Sequence, residues 1–201
     1  MARYTGPRTK RSRRARQLLD ENKAKYFDRR PYPPGEHGRG RIRESQYLVQ
    51  LRENQKLRFM YGVLEKQFRR YYKKAARQRG ITGTNLLVIL ETRLDNVVYR
   101  SGLARTRPQA RQLVNHAHFR VNGKKVDIPS YQVKRGDVVT VKEASKEILP
   151  IQHAVDTLDR TPPEWMTVED NDRTIAINDV PSREQIDTEI REQLIVELYS
   201  K

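Results

Sequence analysis

The residues with the clearest chemical potential are the cations of RTRPQARQLVNHAHFRVNGKKV, which covers positions 105–126. This segment contains six Lys/Arg, two His and no acidic residue. Its apolar residues recur regularly, as is typical of ordered helix and strand. Guanidinium and ammonium groups held in fixed positions bind phosphate oxygens through charge-assisted hydrogen bonds. The segment therefore predicts a surface that binds the phosphates of a structured polyanion.

Two pairs of cations in this segment are placed unfavourably for a protein without a ligand. Arg107 and Arg111 are four residues apart on a predicted helix, where like charges repel. A two-residue Asn-Gly turn sets Arg120 directly opposite Lys125, and like charges that face each other across strands also repel. Because phosphates would turn both repulsions into attraction, we expect both pairs to point outward and bind them.

Apolar periodicity predicts the helices that come before this segment. One helix begins near Ser45 and ends near Gly62, a second covers about 63–78, and one or two more lie within 81–102. The second helix carries a basic stripe opposite its apolar face, formed by Lys66, Arg70, Lys73 and Arg77. We interpret the aromatic residues of this helix as core rather than as platforms for base stacking.

Turn and cap signals predict the elements of the quoted segment and those that follow. Thr106 and Gln109 form a capping box, with Pro108 in the tolerated first turn, so a short helix should begin here. HFRV-NG-KKVD predicts a β-hairpin, and YQV-KRGD-VVTV predicts a second one. The predicted core residues of the second hairpin are Val133, Val139 and Val141.

Charge divides the chain, whose net charge is +16, into three parts. Residues 1–43 carry 14 Lys/Arg against 4 acids, residues 44–142 carry 21 against 7, and residues 143–201 carry 6 against 14. The first part lacks an apolar stripe and contains the breaker-rich RRPYPPGEHGRGR, which predicts an extended arm that orders on its partner. The last part mixes short strands with acidic turns and ends in IDTEIREQLIVELYSK, which predicts a helix that packs back on the basic helices.

Composition excludes several classes of protein. The chain has no cysteine, so disulfide frameworks, thiol catalysis and cysteine-based metal sites are excluded. MARYTGPRTK at the N-terminus lacks an apolar region, and the apolar run LLVIL is too short to span a bilayer. These features predict a cytoplasmic protein.

Long motifs make the chain similar to a known family. RLDNVVYRSGLARTRPQARQLVNHAHFRVNGKKVDIPSYQVKRGD resembles the RNA-binding domain of the S-four family of small-subunit ribosomal proteins. ARYTGP, RRPYPPGEHG, YGVLEKQFRRYY and EQLIVELYSK resemble bacterial members of the same family, so the resemblance covers nearly the whole chain. It implies a primary binder of small-subunit ribosomal RNA that nucleates assembly of the subunit body, contributes to translational accuracy beside neighbouring proteins, and lies near the path by which messenger RNA enters. Binding to its own messenger is a further expectation.

The resemblance implies an α+β fold in which a helix pair packs on a small antiparallel sheet. The expected divisions are a basic extended arm (1–43), a helical domain (44–91) onto which 180–201 packs, an S-four-type RNA-binding domain (92–155), and an acidic tail with a terminal helix (156–201). Some family members bind zinc through four cysteines in the arm. Because those cysteines are absent from this chain, no metal and no other cofactor is expected.

Cations and ring-bearing residues are the candidate RNA-binding side chains. In the arm and helical domain they are Arg3, Arg13, Arg14, Arg30, Tyr32, His37, Arg41, Arg43, Lys56, Arg58, Lys66 and Arg70. In the RNA-binding domain they are Arg105, Arg107, Arg111, His116, His118, Arg120, Lys124, Lys125 and Lys134. Stacking groups beside cations suit a folded RNA surface.

Three alternatives compete with this interpretation. Pseudouridine synthases carry a similar domain and a catalytic aspartate in an Arg-Leu-Asp triplet, which this chain has at Arg93 and Asp95. The flanking residues differ from those enzymes and the triplet lies inside an apolar helical run, so we interpret Asp95 as a residue that caps or pairs locally, and no enzymatic activity is expected. His116 and His118 are half of a metal site without a third ligand nearby. A polycation that compacts DNA or binds membranes would explain the charge but not the ordered elements.

Overall fold

A computed structural model describes residues 4–20, 23–40, 43–157, 161–169 and 173–200 of the chain. Within these ranges helices accompany one antiparallel sheet, which confirms the predicted α+β class. The helices are α1 (Arg8–Ala15), α2 (Ala24–Asp28), α3 (Gln46–Met60), α4 (Glu65–Ala76), α5 (Thr82–Glu91), α6 (Leu94–Arg100), α7 (Arg107–Asn115), α8 (Leu149–Thr157) and α9 (Glu192–Tyr199). The strands are β1 (Phe119–Val121), β2 (Lys124–Lys125), β3 (Val138–Val141), β4 (Met166–Glu169) and β5 (Thr174–Ile177).

The chain forms two compact units, and each is described by itself. The first combines Met1–Gly83 with Thr188–Lys201, and the second is Thr84–Asp187. In the first unit, Ser45 caps α3 by accepting a hydrogen bond from the backbone N–H of Leu48 at 3.2 Å. The final helix α9 lies against α3, and the ring of Tyr199 lies 4.8 Å from that of Tyr72 on α4. The end of the chain therefore completes the core of the first unit.

The N-terminal segment differs from the extended arm that the sequence predicted. It contains α1, α2 and a 3-10 turn at Glu36–Arg39, and α1 packs on α3. Cations replace an apolar stripe in this packing: the guanidinium of Arg11 lies 3.4 Å from the ring centre of Tyr4 and 4.5 Å from that of Phe59. Cation–π contacts of this kind hold a charged helix on an apolar neighbour.

The second unit places helices on one face of its sheet. The strand order is β2-β1-β3-β5-β4, with every neighbouring pair antiparallel. Leu94, Val98 and Leu113 from the helices share one buried cluster with Phe119 and Val139 from the strands. Alternation along β1 therefore buries Phe119 and Val121 and leaves the residue between them exposed.

The first predicted hairpin is confirmed, whereas the second is wrong. Residues 131–133 do not pair with β3, although Val133, Val139 and Val141 are buried as predicted. The Leu94 N–H donates to Tyr131 O at 2.8 Å, and the Val133 N–H donates to Thr92 O at 2.9 Å. Because the backbone around 131–133 is used by the connection between α5 and α6, β3 pairs instead with β1 and β5.

The acidic tail contains short strands, as predicted, but its helix α8 and the pairing of its strands with the central sheet were not predicted. Helix α8 contributes Ile151 and Ala154 to the buried residues, and β4 and β5 extend the sheet to five strands. The last helix also begins later than predicted, at Glu192. Side chains of α3 hold the segment before it, because Glu53 accepts from the Arg191 N–H at 3.3 Å and Lys56 donates to Glu189 O.

Candidate nucleic-acid interface

The β1–β2 hairpin presents cations on a fixed backbone. Asn122 and Gly123 have φ of 49° and 75°, which the two-residue turn requires. Arg120 pairs directly with Lys125, as predicted, and both are exposed together with Lys124. The buried Phe119 anchors the opposite face. This hairpin therefore holds three cations on a fixed backbone.

Side chains of the neighbouring loop hold the turn against β3. Asn122 donates from Nδ2 to Asp137 Oδ1 at 2.9 Å and accepts from the Val138 N–H at 2.9 Å. The other oxygen of Asp137 accepts from the Lys134 N–H at 2.8 Å. The carboxylate is thus bound to backbone and amide groups of the turns, while the Lys134 side chain remains exposed.

Arg107 and Arg111 do not point outward as predicted, and their binding to phosphates stays a prediction. Arg107 donates from Nε to Asn96 Oδ1 at 2.9 Å, and its guanidinium lies 4.3 Å from the ring centre of Tyr99. Arg111 donates to Asp95 Oδ2 at 3.2 Å. Both arginines are half-buried between α6 and α7. Their like-charge repulsion is offset by acceptors on the preceding helix, which the four-residue spacing does not reveal.

Asp95 pairs locally, as predicted. Arg93 donates to its two oxygens at 3.0 and 2.7 Å, and Arg93 is itself only 2% exposed. Arg111 adds a third hydrogen bond to the same carboxylate. Two guanidinium groups fix this carboxylate in place, because both its oxygens accept charge-assisted hydrogen bonds. Asp95 thus connects the start of α6 with α7.

A second polar cluster supports the same helix pair. Glu91 accepts from Arg100 at 2.8 and 3.2 Å and from Asn96 Nδ2 at 2.6 Å. Asn96 in turn accepts from Arg107. The cluster links the end of α5 to α6 and α7, so the residues around the Arg-Leu-Asp triplet form a packed polar core rather than an open site.

The two histidines lie in different surroundings. His116 is exposed at the end of α7, whereas His118 is half-buried, with its Nδ1 2.9 Å from Ser145 Oγ. Burial lowers the pKa of His118, and the charges of His116 and Lys142 lower this pKa further. His118 is therefore neutral near pH 7 and supplies no positive charge. Arg105, just before α7, is exposed.

Some candidate residues of the N-terminal segment contact other residues of that segment, and others are exposed. Arg13 donates from Nε to Tyr32 O at 2.9 Å, and Arg39 donates to the Tyr32 hydroxyl at 3.2 Å. The hydrogen bond from Arg39 lowers the pKa of the Tyr32 phenol, since the cation favours the phenolate. These contacts fold the segment on itself. The exposed candidates are Arg14, Arg30, His37 and Arg43. Arg3 and Arg41 lie outside the described residues.

Two predicted RNA-binding residues of α3 contact other residues of the first unit. Lys56 is only 9% exposed and donates to the backbone oxygen of Glu189. Arg58 pairs with Glu65 at 2.7 Å, with its side chain 16% exposed. RNA binding by these two residues stays a prediction, although both side chains already contact protein acceptors. The reason is that α1, α4 and the end of the chain meet around this part of α3, so its cations face protein acceptors.

The outer face of α4 carries more cations than the candidate residues included. Lys66 and Arg70 are exposed as predicted, and so are four further residues: Arg69, Lys73, Lys74 and Arg77. The periodic stripe had indicated two of these, Lys73 and Arg77, but they were not counted as binding residues. The signal was available in the sequence, because no acid follows Glu65 in this helix.

Searches for other kinds of site gave two findings. Among the described residues, no group of three or more His, Asp or Glu side chains lies close enough together to hold a metal ion. None of the helices in the described ranges combines the length and apolarity that a membrane span needs.

Family models and curated proteins match this chain over most or all of its length. The model of the ribosomal protein S4/S9 N-terminal domain matches residues 3–91, and the model of the S4 domain matches residues 92–139. The chain is 61% identical to small ribosomal subunit protein uS4 of Nocardia farcinica, 60% to that of Rhodococcus erythropolis and 59% to that of Cutibacterium acnes. Each alignment covers 100% of both chains.

Proposed function

Because the chain belongs to the uS4 family of small ribosomal subunit proteins, we propose that it binds small-subunit ribosomal RNA as a structural, non-enzymatic constituent of the cytoplasmic ribosome. The observation that carries this proposal is the β1–β2 hairpin, where Arg120, Lys124 and Lys125 are exposed on a strand pair fixed by the buried Phe119. The backbone that carries these cations is already fixed, so it loses little conformational entropy on binding. The hairpin therefore suits folded RNA better than a flexible tail does.

Equilibrium binding to transcribed small-subunit ribosomal RNA tests this function. The full chain should bind this RNA more tightly than duplex DNA of matched charge at raised salt, because the fixed cations must match the shape of the RNA. Log affinity should fall linearly with log salt concentration. Equal affinity for RNA and DNA at every salt concentration would instead indicate a nonspecific polycation.

The second part of the proposal is that the protein nucleates assembly of the subunit body. Exposed cations occur in both units, such as Arg14 in the first and Arg120 in the second. One chain can therefore neutralise more than one RNA segment, which favours an early role. Reconstitution of the subunit with this protein added first or last provides the test. Addition of the protein last should give fewer complete particles, and equal yields in both orders would contradict the proposal.

The family resemblance also supports a role in translational accuracy and contact with messenger RNA, including the protein's own messenger. Arg43 is exposed just before α3, in a segment suited to contact a passing strand. Ribosomes that carry Arg43→Gln should crosslink less to thiouridine-substituted messenger downstream (3′) of the decoded codon, with unchanged incorporation of the protein. Accuracy can be measured as stop-codon readthrough in the same ribosomes. If crosslinking and readthrough are both unchanged, this part of the proposal fails.

A further inference from the structure

Helix α4 has two faces of opposite character. Phe68, Tyr71 and Ala75 are buried on the inner face, and Tyr72 contacts Tyr199 of α9 on the same side. The outer face carries Lys66, Arg69, Arg70, Lys73, Lys74 and Arg77, all of them exposed. Because the inner face is fixed in the core of the first unit, the helix cannot rotate its cations inward.

The acids of the first unit are engaged away from this outer face. Glu65, the only acid on α4, pairs with Arg58 at 2.7 Å and accepts from the Tyr199 hydroxyl at 2.6 Å. In the last segment of the chain, Glu189 accepts from Gln17 and Glu197 accepts from Gln50. Among the described residues, no acidic side chain forms an ion pair with Lys66, Arg69, Arg70, Lys73 or Arg77. These five cations of the outer face therefore have no acidic ion-pair partner in the part of the chain that the structure describes.

Spacing on the helix places these cations in a continuous line. From Lys66 to Arg77 the helix rises about 16 Å, at roughly 1.5 Å per residue. Arg69 and Lys73 are four residues apart, as are Arg70 and Lys74, so like charges are neighbours along the face. Such repulsion disappears when a row of phosphates lies along the helix. No large apolar side chain is exposed on this face, which disfavours insertion into a membrane.

We propose that the outer face of α4 is a phosphate-binding surface that lies along the sugar-phosphate backbone of ribosomal RNA. This inference rests on the proposed function and adds a site to it. Arginine and lysine have complementary roles here, because the guanidinium takes two phosphate oxygens in a fork while the ammonium acts as a point charge. The surface reads backbone rather than bases, so it positions the RNA without selecting its sequence.

Paired double variants test the surface. Arg69→Gln with Lys73→Gln removes two cations of α4 and keeps good helix propensity. Lys142→Gln with Arg191→Gln removes two exposed cations elsewhere, so both variants have the same net charge. With transcribed small-subunit ribosomal RNA, the first variant should lower the slope of log affinity against log salt by about 1.4 to 1.8, at roughly 0.7 to 0.9 per phosphate. The control variant should change the slope by less than about 0.5.

Site-directed cleavage gives a second readout that does not depend on affinity. The chain has no cysteine, so Ala76→Cys, at an exposed position near the end of α4, provides a single thiol for an iron chelate. Hydroxyl radicals from this position should cut the RNA within one short segment. Gln193→Cys, which is exposed on α9 beside acidic residues, should cut weakly.

The outcomes separate this inference from the function on which it rests. Absence of salt-dependent RNA binding by the unmodified chain would reject the proposed function. Normal binding together with equal slopes for the two double variants, and with no cleavage from Ala76→Cys, would reject the α4 surface alone. Crosslinking of the same thiol to a protein in assembled subunits, without RNA cleavage, would also reject it, since an acidic protein would then cover the face.

Discussion

Replacement of Arg107 and Arg111 by glutamine should destabilise the protein without changing how its RNA binding depends on salt. The change removes the 3.2 Å bond from Arg111 to Asp95, the 2.9 Å bond from Arg107 to Asn96 and the cation–π contact with Tyr99. A hydrogen bond to a charged group contributes about 1.5–3 kcal/mol, and a cation–π contact roughly 0.5–1 kcal/mol. Together these losses amount to about 3.5–7 kcal/mol.

Relief of repulsion between the two arginines is too small to reverse this sign. Like charges four residues apart cost only about 0.2–0.5 kcal/mol. For a chain of this length, a loss of about 3.5–7 kcal/mol lowers the melting temperature by roughly 7–28 °C. Circular dichroism measures the melting temperature, and filter binding over a salt series measures the slope of log affinity against log salt.

The hairpin supplies the matched comparison. Arg120→Gln with Lys125→Gln removes the same charge from an exposed cross-strand pair. This variant should lower the salt slope by about 1.4 to 1.8 and leave the melting temperature unchanged or slightly raised. The reasoning would be refuted if the variant of Arg107 and Arg111 had the reduced slope and the unchanged melting temperature, because those arginines would then contact phosphate.

Three further measurements test residues of the two units. Asp95→Asn should lower stability by about 3–5 kcal/mol, since it leaves buried guanidinium groups without their counter-charge, and ribosomal RNA uridines should stay unmodified by mass spectrometry. The pKa of His118 is lowered, so the stability that depends on this residue is present above pH 6.5 and is lost as the pH falls below this value. In urea unfolding, His118→Asn should lack this pH-dependent loss of stability, while His116→Gln should retain it. The pKa of Tyr199 is raised to about 12 from 10.0 by burial and by Glu65. Its contribution to the free energy of unfolding is therefore complete below pH 10 and is lost as the pH rises towards 12. In urea unfolding, Tyr199→Phe should remove this loss.

The sequence predicted well wherever the determining signal was local. The Ser45 cap sets the start of α3, the Thr106 cap sets the start of α7, and the Asn-Gly turn sets the register of Arg120 with Lys125. Each feature depends on residues within a few positions of one another. The second hairpin was predicted wrongly because its first strand bonds to Thr92 and Leu94, about 40 residues earlier. Local turn chemistry cannot reveal a competitor at that distance.

Distant residues also decide which of the candidate cations are exposed. Arg107 and Arg120 have the same charge and lie in one acid-free segment, yet Arg107 finds Asn96 across a helix pair while Arg120 faces solvent. Lys56 and Lys66 differ in the same way. Lys56 donates to the backbone oxygen of Glu189, which is near the other end of the chain, whereas Lys66 is exposed. Counting acids near a cation in sequence therefore does not identify a phosphate ligand.

The feature that separates binding cations from structural ones is the position of their acceptors in the folded chain. Several ion pairs of the first unit involve α3 or the residue just before it, and Glu44 accepts from both Arg16 and Arg52. In the second unit, Asp95 and Glu91 gather the arginines of α6 and α7 in the same way. Among the described residues, by contrast, no ion pair involves Arg120, Lys124 and Lys125 of the hairpin, or Lys66, Arg69, Arg70, Lys73 and Arg77 of α4. The excess positive charge therefore concentrates on the hairpin and on α4, which are held in place by their buried faces, and a rigid charged surface of this kind binds the fixed phosphates of folded RNA most strongly.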